Sequence, residues 1–220
     1  MSKEAWEGYW SDATHRDNWS KPATVVTELI SSLLPNERPR VLDLGCGPGR
    51  HAIAFALKGF DVSATDVSEE AMRYLTGWAE RLSLHIDVRR CEMLEQPFPP
   101  GTFDVVVSYN VIYHGLRDTF QAAIDHVRTI LKPGGLFFFT CPSRSDGKYG
   151  FGQEVGPHAF ACTKSITPGE VHYFSSREDL DDLLRSYRIE WIRPDEGRFI
   201  RSGEDMFYSN WHVLASRPSD

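Results

Sequence analysis

Val41-Leu42-Asp43-Leu44-Gly45-Cys46-Gly47-Pro48-Gly49-Arg50 is the stretch on which the fold turns. Its first residues form a short apolar strand from Arg40 to Leu44. The alternate glycines form a tight turn. From Arg50 to Lys58 apolar residues recur at helical spacing, with Gly59 as a C-cap. A strand, a glycine turn and a helix in that order put the turn at the carboxyl end of a sheet, where open α/β folds bind ligands. Glycine accepts positive φ there and lets a backbone come close to a ligand. Asp43 offers a carboxylate to a cationic amine, and the turn's N–H groups offer donors to a carboxylate. Asp43, Gly45, Cys46, Gly47 and Gly49 therefore suit an amino-acid zwitterion. The spacing is GxGxG, and Arg50 stands where the dinucleotide fingerprint GxGxxG has its third glycine. The loop is not a GxxxxGK[ST] phosphate loop either.

Working outward, strand-like and helix-like segments alternate, which predicts a parallel α/β sheet. Strands are expected at Phe60–Thr65, Leu84–Arg90, Phe103–Tyr109 and Leu136–Cys141, then near Arg188–Arg193 and Ser209–Arg217. Helices are expected from Ser68 to about Leu82, from Arg117 to Leu131 and from Ser175 to about Tyr187. Residues 142–172 are rich in Gly, Pro, Ser and Lys and show no periodicity, and a stretch of that length is often functional. Asp66, followed by Val67, ends the second strand, where a carboxylate can take both hydroxyls of a ribose. At the N-terminus Trp6, Tyr9 and Trp10 share one helix face, and Trp19 follows. Residues 1–22 are thus expected to form an aromatic helical lid, with Tyr9 and Trp19 against the cofactor. The rest, 23–220, forms the main domain, with a substrate cover inserted at about 142–174.

The chain resembles the class I, seven-stranded S-adenosylmethionine-dependent methyltransferases, on Val41–Gly49, on Asp66 and on the run from Cys91-Glu92-Met93 through Pro97-Phe98-Pro99 to Phe103-Asp104. That run is similar to the family's GDAEDLPFPDGSFD pattern. Leu131-Lys132-Pro133-Gly134-Gly135 resembles the turn before the fifth strand. The resemblance implies a three-layer α/β sandwich with sheet order 3-2-1-4-5-7-6, the last strand antiparallel. It implies S-adenosyl-L-methionine as methyl donor, with S-adenosyl-L-homocysteine as product. It puts Glu92 on the adenine amino group, the Met93 N–H on the ring, and Asn110 and Val111 along the methionine part. The layout is most similar to the family's small-molecule members.

The acceptor site is expected beyond the fourth strand, around Tyr113 and His114. His114 can be a general base, since histidine titrates near neutral pH. The segment 142–172 adds Lys148, Tyr149, His158 and His172, with Tyr173 next to it. His114 and His172 are the catalytic candidates; Tyr113, His158 and Tyr173 are the candidates for substrate contact. Arg198, Arg201 and His212 are weaker ones. The expected reaction is in-line methyl transfer to a small molecule. The alternatives are an RNA or protein methyltransferase, or a binding module that keeps the cofactor without catalysis.

Composition sets the outer bounds. The chain has 220 residues, 41% hydrophobic and 25% charged, with a formal net charge of −7. A phosphate-backbone partner usually draws a basic excess, so nucleic acid is disfavoured. No segment reads as a signal peptide or a membrane span. Cys46, Cys91, Cys141 and Cys162 form no CxxC pair and no zinc spacing, so no metal site is expected. The expected setting is cytoplasmic, as a monomer or homodimer with no membrane partner.

Overall fold

Alternation along the central strands decides the layering. The computed structural model describes residues 3–33, 39–95, 97–201 and 203–219. Met1, Ser2 and Gln96, all within stretches singled out from sequence, lie outside the described residues, as does the side chain of Arg201. In chain order the first half contains α1 (Lys3–Ser11), α2 (Ala13–Asn18), α3 (Thr24–Ser32), β1 (Arg40–Leu44), α4 (Arg50–Leu57), β2 (Asp61–Asp66), α5 (Glu69–Arg81), β3 (Ile86–Arg90) and β4 (Phe103–Ser108). The second half contains α6 (Arg117–Ile130), β5 (Leu131–Pro142), β6 (Gly152–Gly156), β7 (Ala159–Cys162), β8 (Val171–Tyr173), α7 (Arg177–Leu183), β9 (Arg188–Arg201) and β10 (Glu204–Ser216).

Seven strands form one sheet in the order β3-β2-β1-β4-β5-β10-β9. The first five are parallel, and β10 runs antiparallel to both neighbours. The order is the expected one. Successive side chains point to opposite faces. Phe137 and Phe139 of β5 therefore join Phe120 and Ile124 of α6 and Leu180 of α7 in one core. Phe138 joins Phe55 of α4, Leu75 of α5 and Val26 of α3 in the other. Burial on both faces explains why β1, β4 and β5 read as apolar runs. Among the described residues, no helix is long and apolar enough to cross a membrane.

Three additions surround the carboxyl end of this sheet. The first is α1 and α2, whose Trp6 and Trp10 are buried in the same core as α4 and α5. Glu7 fastens α1 to the start of α5. Its carboxylate accepts from the Ser68 hydroxyl and the Glu69 N–H, both at 2.8 Å, and more distantly from the Glu70 N–H. A carboxylate at a helix N-terminus meets open N–H groups and the positive end of the dipole. The second addition corrects the reading of 142–172 as unstructured. That segment holds a three-stranded antiparallel sheet, β6-β7-β8. It docks on the loop after β4, where the Gly115 N–H donates to the Val171 carbonyl at 2.8 Å and the Tyr173 N–H to the Tyr113 carbonyl at 3.0 Å. The helix expected from Ser175 starts at Arg177, behind a Ser176–Asp179 capping box. The third addition is the β9–β10 hairpin, longer than the two short strands expected. Only Asn210–Ser216 pair with β5, so the rest of the hairpin projects past the sheet as a two-stranded arm.

Gly49 shows how closely the loop is built. It has φ +91°, and a Cβ there would lie 2.2 Å from Leu75 Cδ1 of α5. Gly49→Ala should therefore destabilise the protein by about 2–5 kcal/mol, adding backbone strain to overpacking. Urea unfolding checks this, and Leu75→Ala in the same chain should recover only the packing part. Unchanged stability in Gly49→Ala would contradict the geometry.

Candidate functional site

The glycine loop is held by the end of β2. Register pairs Leu44 with Thr65, so the loop leaves β1 beside Asp66. The Thr65 carbonyl accepts from the N–H groups of Gly45 at 2.8 Å and Cys46 at 2.9 Å. Asp66 Oδ2 accepts from the Gly47 N–H at 2.8 Å, while Oδ1 accepts from the Ser68 N–H at 2.9 Å. The donors expected to meet a ligand carboxylate are thus already bonded within the fold. Asp43 also differs from expectation. It lies behind the loop rather than on the cavity wall, and its Oδ2 accepts from the Ala52 N–H at 2.9 Å in the first turn of α4. Burial pushes its carboxyl up to about 7, with Asp66 adding to the rise against the Ala52 bond and Arg50. Burial also raises Asp66, against its three backbone bonds.

A deep cavity opens over this loop. Its floor is Gly45, Cys46, Gly47, Asp66 and Val67, with Met93, Asn110 and Val111 along one side. Asn110 sits at φ +62°, a strained position for a side chain, and its Oδ1 accepts from the Thr140 hydroxyl at 2.9 Å. Glu92 is half-buried and off the cavity wall, although its neighbours Cys91 and Met93 line it. Gly49 is likewise off the wall.

Aromatic rings form the roof. Trp6 and Trp10 stack at 6.2 Å and, with Trp19, line the cavity. Trp10 lies directly on Gly47, where a Cβ would meet its ring at 2.8 Å. Tyr9 is turned aside: its ring stacks on His15 at 4.1 Å and its hydroxyl accepts from Trp19 Nε1 at 3.1 Å. Arg50 lies between two rings, 4.5 Å from the centroid of Trp19 and 4.9 Å from that of Tyr109, and donates to the Lys21 carbonyl. The hairpin arm closes the remaining side with Phe199, Met206, Phe207 and Tyr208. Sequence reading passed over these four, although Ser202-Gly203 between two β-forming runs is a hairpin signal.

The docking of β8 brings His114 and His172 together, their rings 4.7 Å apart and perpendicular. Tyr113 stacks on His114 at 4.5 Å and Trp6 meets it edge-on at 5.4 Å. His114 Nδ1 donates to the Val111 carbonyl at 2.7 Å, since a carbonyl only accepts. This leaves Nε2 of the neutral ring with its lone pair. Burial pushes His114 down to about 4, with Lys148 adding to the effect. His172 is lowered further by burial, His114 and Lys148. Tyr113 lines the cavity and is pushed well up by burial. His158 and Tyr173 are off the wall. His158 accepts from or donates to the Tyr149 hydroxyl at 2.7 Å, and Tyr173 is buried against Phe120. Arg198 pairs with Asp205, and His212 with Asp195. Cys141 is a buried strand residue whose thiol burial pushes up to about 12.

Several buried polar atoms on the cavity wall have no partner among the described residues: Trp6 Nε1, Thr65 Oγ1 and His172 Nδ1. Buried polar groups are rarely left so, and a polar ligand would satisfy them.

Comparison with known proteins agrees with this geometry. Residues 41–135 match the family model of a methyltransferase domain. A ubiquinone biosynthesis O-methyltransferase of Cereibacter sphaeroides is 30% identical over 199 residues, covering 86% of this chain and 78% of the relative. An S-adenosylmethionine-dependent methyltransferase of Methanosarcina mazei has the same fold, with a TM-score of 0.74 at 18% identity over 91% of this chain and all of that one. A 1,6-didemethyltoxoflavin-N1-methyltransferase of Burkholderia thailandensis, solved with 1,6-didemethyltoxoflavin and S-adenosylhomocysteine, gives 0.65 at 21% identity over 98% of this chain and 87% of that one.

The two buried acid–base groups should move stability in opposite directions with pH. His114 has a folded pKa of about 4, against an ordinary value of about 6.5. The unfolded chain binds the extra proton between those values, so stability falls on acidification through that window, by on the order of 3 kcal/mol from this group. Asp43 has a folded pKa of about 7, so its folded form holds the extra proton and stability falls as pH rises from about 4 to 7. Urea midpoints from pH 4.5 to 7.5 should show a shallower acid loss in His114→Asn and a gain toward neutral pH in Asp43→Asn. Parallel profiles for the variants and wild type would contradict these environments.

Proposed function

This chain belongs to the class I S-adenosylmethionine-dependent methyltransferases, and from that premise we propose that it methylates a hydroxyl of a small aromatic molecule held beside His114 and His172. The observation that carries this reading is the enclosure of the cavity. Helices α1 and α2, the β6–β8 cover and the hairpin arm each supply part of the wall. Enclosure favours a small acceptor over an RNA or protein segment, and the wall's aromatic rings favour a planar one. The name of the Cereibacter relative supports oxygen as the acceptor atom.

The cavity's residues fit the methyl donor. Asp66 takes the ribose hydroxyls, its two oxygens keeping capacity beside their backbone bonds. Val67, Cys91 and Met93 receive the adenine, with Glu92 at its edge. Arg50 takes the methionine carboxylate, since the loop's N–H groups are spent. Trp6 Nε1 and Thr65 Oγ1 gain the partners they lack. Trp10 and Trp19 close the lid, so residues 3–19 and about 142–174 act as lid and cover of one domain. When bound, S-adenosylmethionine supplies an electrophilic methyl on a positively charged sulfur. The chain's part is to align the acceptor, exclude water and take the proton. His114 is neutral at pH 7, so its Nε2 can accept that proton, and His172 and Tyr113 hold its ring in place. The four reduced cysteines suit a cytoplasmic setting.

Calorimetry with S-adenosylhomocysteine tests the donor site. Wild type should bind it, and Arg50→Gln and Asp66→Asn should each bind about tenfold more weakly or worse, the loss of a bond to a charged group. Unchanged affinity in both variants would overturn the assignment. His114→Asn should keep that affinity and lower turnover on a phenol that the wild type methylates by about a hundredfold. Full turnover would remove His114 from the chemistry.

A further inference from the structure

The charged side chains on the cavity wall run against the charge of the whole chain. The chain carries −7, yet among the described residues the charged ones lining the cavity are Arg50, Lys148, Lys164 and a single acid, Asp66. Asp66 belongs to the loop floor, where both its oxygens hold backbone N–H groups. Arg50 belongs to the Trp19 and Tyr109 end. The two lysines come from the segment 142–174, and Lys164 precedes Ser165, whose hydroxyl lies 3.5 Å from His172 Nε2. Lys148 acts there directly, since its charge is among the causes that lower both His114 and His172.

Lys148 has one carboxylate partner, the buried Asp146, and Lys164 has none among the described residues. Lys164 forms no ion pair among the described residues; its ammonium lies over the Phe151 ring at 4.2 Å. The nearest carboxylate to Lys148 is Asp146 at 3.7 Å, and the two oxygens of Asp146 accept from the N–H groups of Lys148 and Ser209 at 2.9 and 3.0 Å. Asp146 is thus shared between the backbone and Lys148, and its charge also reaches Tyr113. Trp6, Tyr113 and Phe207 line the same cavity, the rings that would enclose a planar acceptor. A half-buried cation with no ion-pair partner among the described residues, as Lys164 is, gains most from an anionic ligand, and Lys148 beside it adds a second donor.

We infer that the methyl acceptor is an aromatic acid, its ring among Trp6, Tyr113 and Phe207 and its carboxylate held by Lys148 and Lys164. This rests on the donor reading above, because the lysines matter only on the side of the cavity that the donor leaves open. The carboxylate would offset the cation facing the histidine pair, so a bound acceptor would also make His114 easier to protonate when it takes the hydroxyl proton. An acceptor without an anion would leave that cation in place against the pair.

The test is calorimetry on protein saturated with S-adenosylhomocysteine, using hydroxybenzoates, hydroxynaphthoates and indole carboxylates, each matched to its primary amide. At least one carboxylate should bind, and its amide about tenfold more weakly or not at all. Lys148→Gln and Lys164→Gln should each weaken the carboxylate about fivefold to tenfold while leaving S-adenosylhomocysteine within twofold of wild type. Lys148→Arg should restore most of the loss, which separates lost charge from a disturbed cover. The inference is overturned if amides bind as tightly as acids, if affinity survives both lysine substitutions, or if none of the carboxylates binds the loaded protein. Failure of wild type to bind S-adenosylhomocysteine would overturn the donor reading instead.

Discussion

The bonding of the glycine loop to the end of β2 is the constraint on which the site depends. Thr65 and Asp66 together take the N–H groups of Gly45, Cys46 and Gly47. This fixes a loop that would otherwise have many conformations, and Asp43 secures its far side through Ala52. The arrangement leaves these three N–H groups bonded within the fold. In the proposed donor site an anionic group then falls to a side chain, Arg50. A charge between two aromatic faces keeps partial compensation while waiting for a ligand.

The lid follows from the same floor. Trp10 can rest on the loop only because residue 47 lacks a side chain. Glu7 then fixes the helix that carries Trp6 and Trp10 by capping α5, the helix whose Leu75 packs on Gly49. Loop, lid and neighbouring helix therefore share contacts. Loosening any of them should be felt in the others, as coupling between contacting residues usually is. On the acceptor side the backbone bonds between β8 and the loop after β4 do the equivalent work, placing His172 against His114.

Much of the fold was legible because its strands are buried on both faces and its turns are marked by glycine and proline. The sheet order came from resemblance, and the strands around Val41, Phe103 and Leu136 from apolar runs. The cover was not legible. Its strands are short, and β6 (Gly-Gln-Glu-Val-Gly) has no apolar face to set a period. The length of the hairpin arm was not legible because its strands beyond Pro194 are laddered to each other rather than to β5 and alternate charged with apolar side chains weakly. At the site, residue types were read more surely than directions. The direction of Asp43 was not legible, since only packing shows that its carboxylate accepts from the Ala52 N–H of α4. Tyr9 shares a helix face with Trp6 and Trp10 by spacing, yet bonding to Trp19 and stacking on His15 draw it off the cavity. Lys164 carried no sequence signal, because a single lysine in a loop is ordinarily solvated.

The most direct test of the whole account is a crystal structure of the complex with S-adenosylhomocysteine, read for what surrounds the sulfur. The account predicts the ribose on Asp66, the carboxylate on Arg50 beneath Trp10 and Trp19, and the sulfur facing open space bounded by Tyr113, His114 and His172. A sulfur turned away from the two histidines, or a ligand bound outside the cavity over Gly45–Gly47, would contradict it.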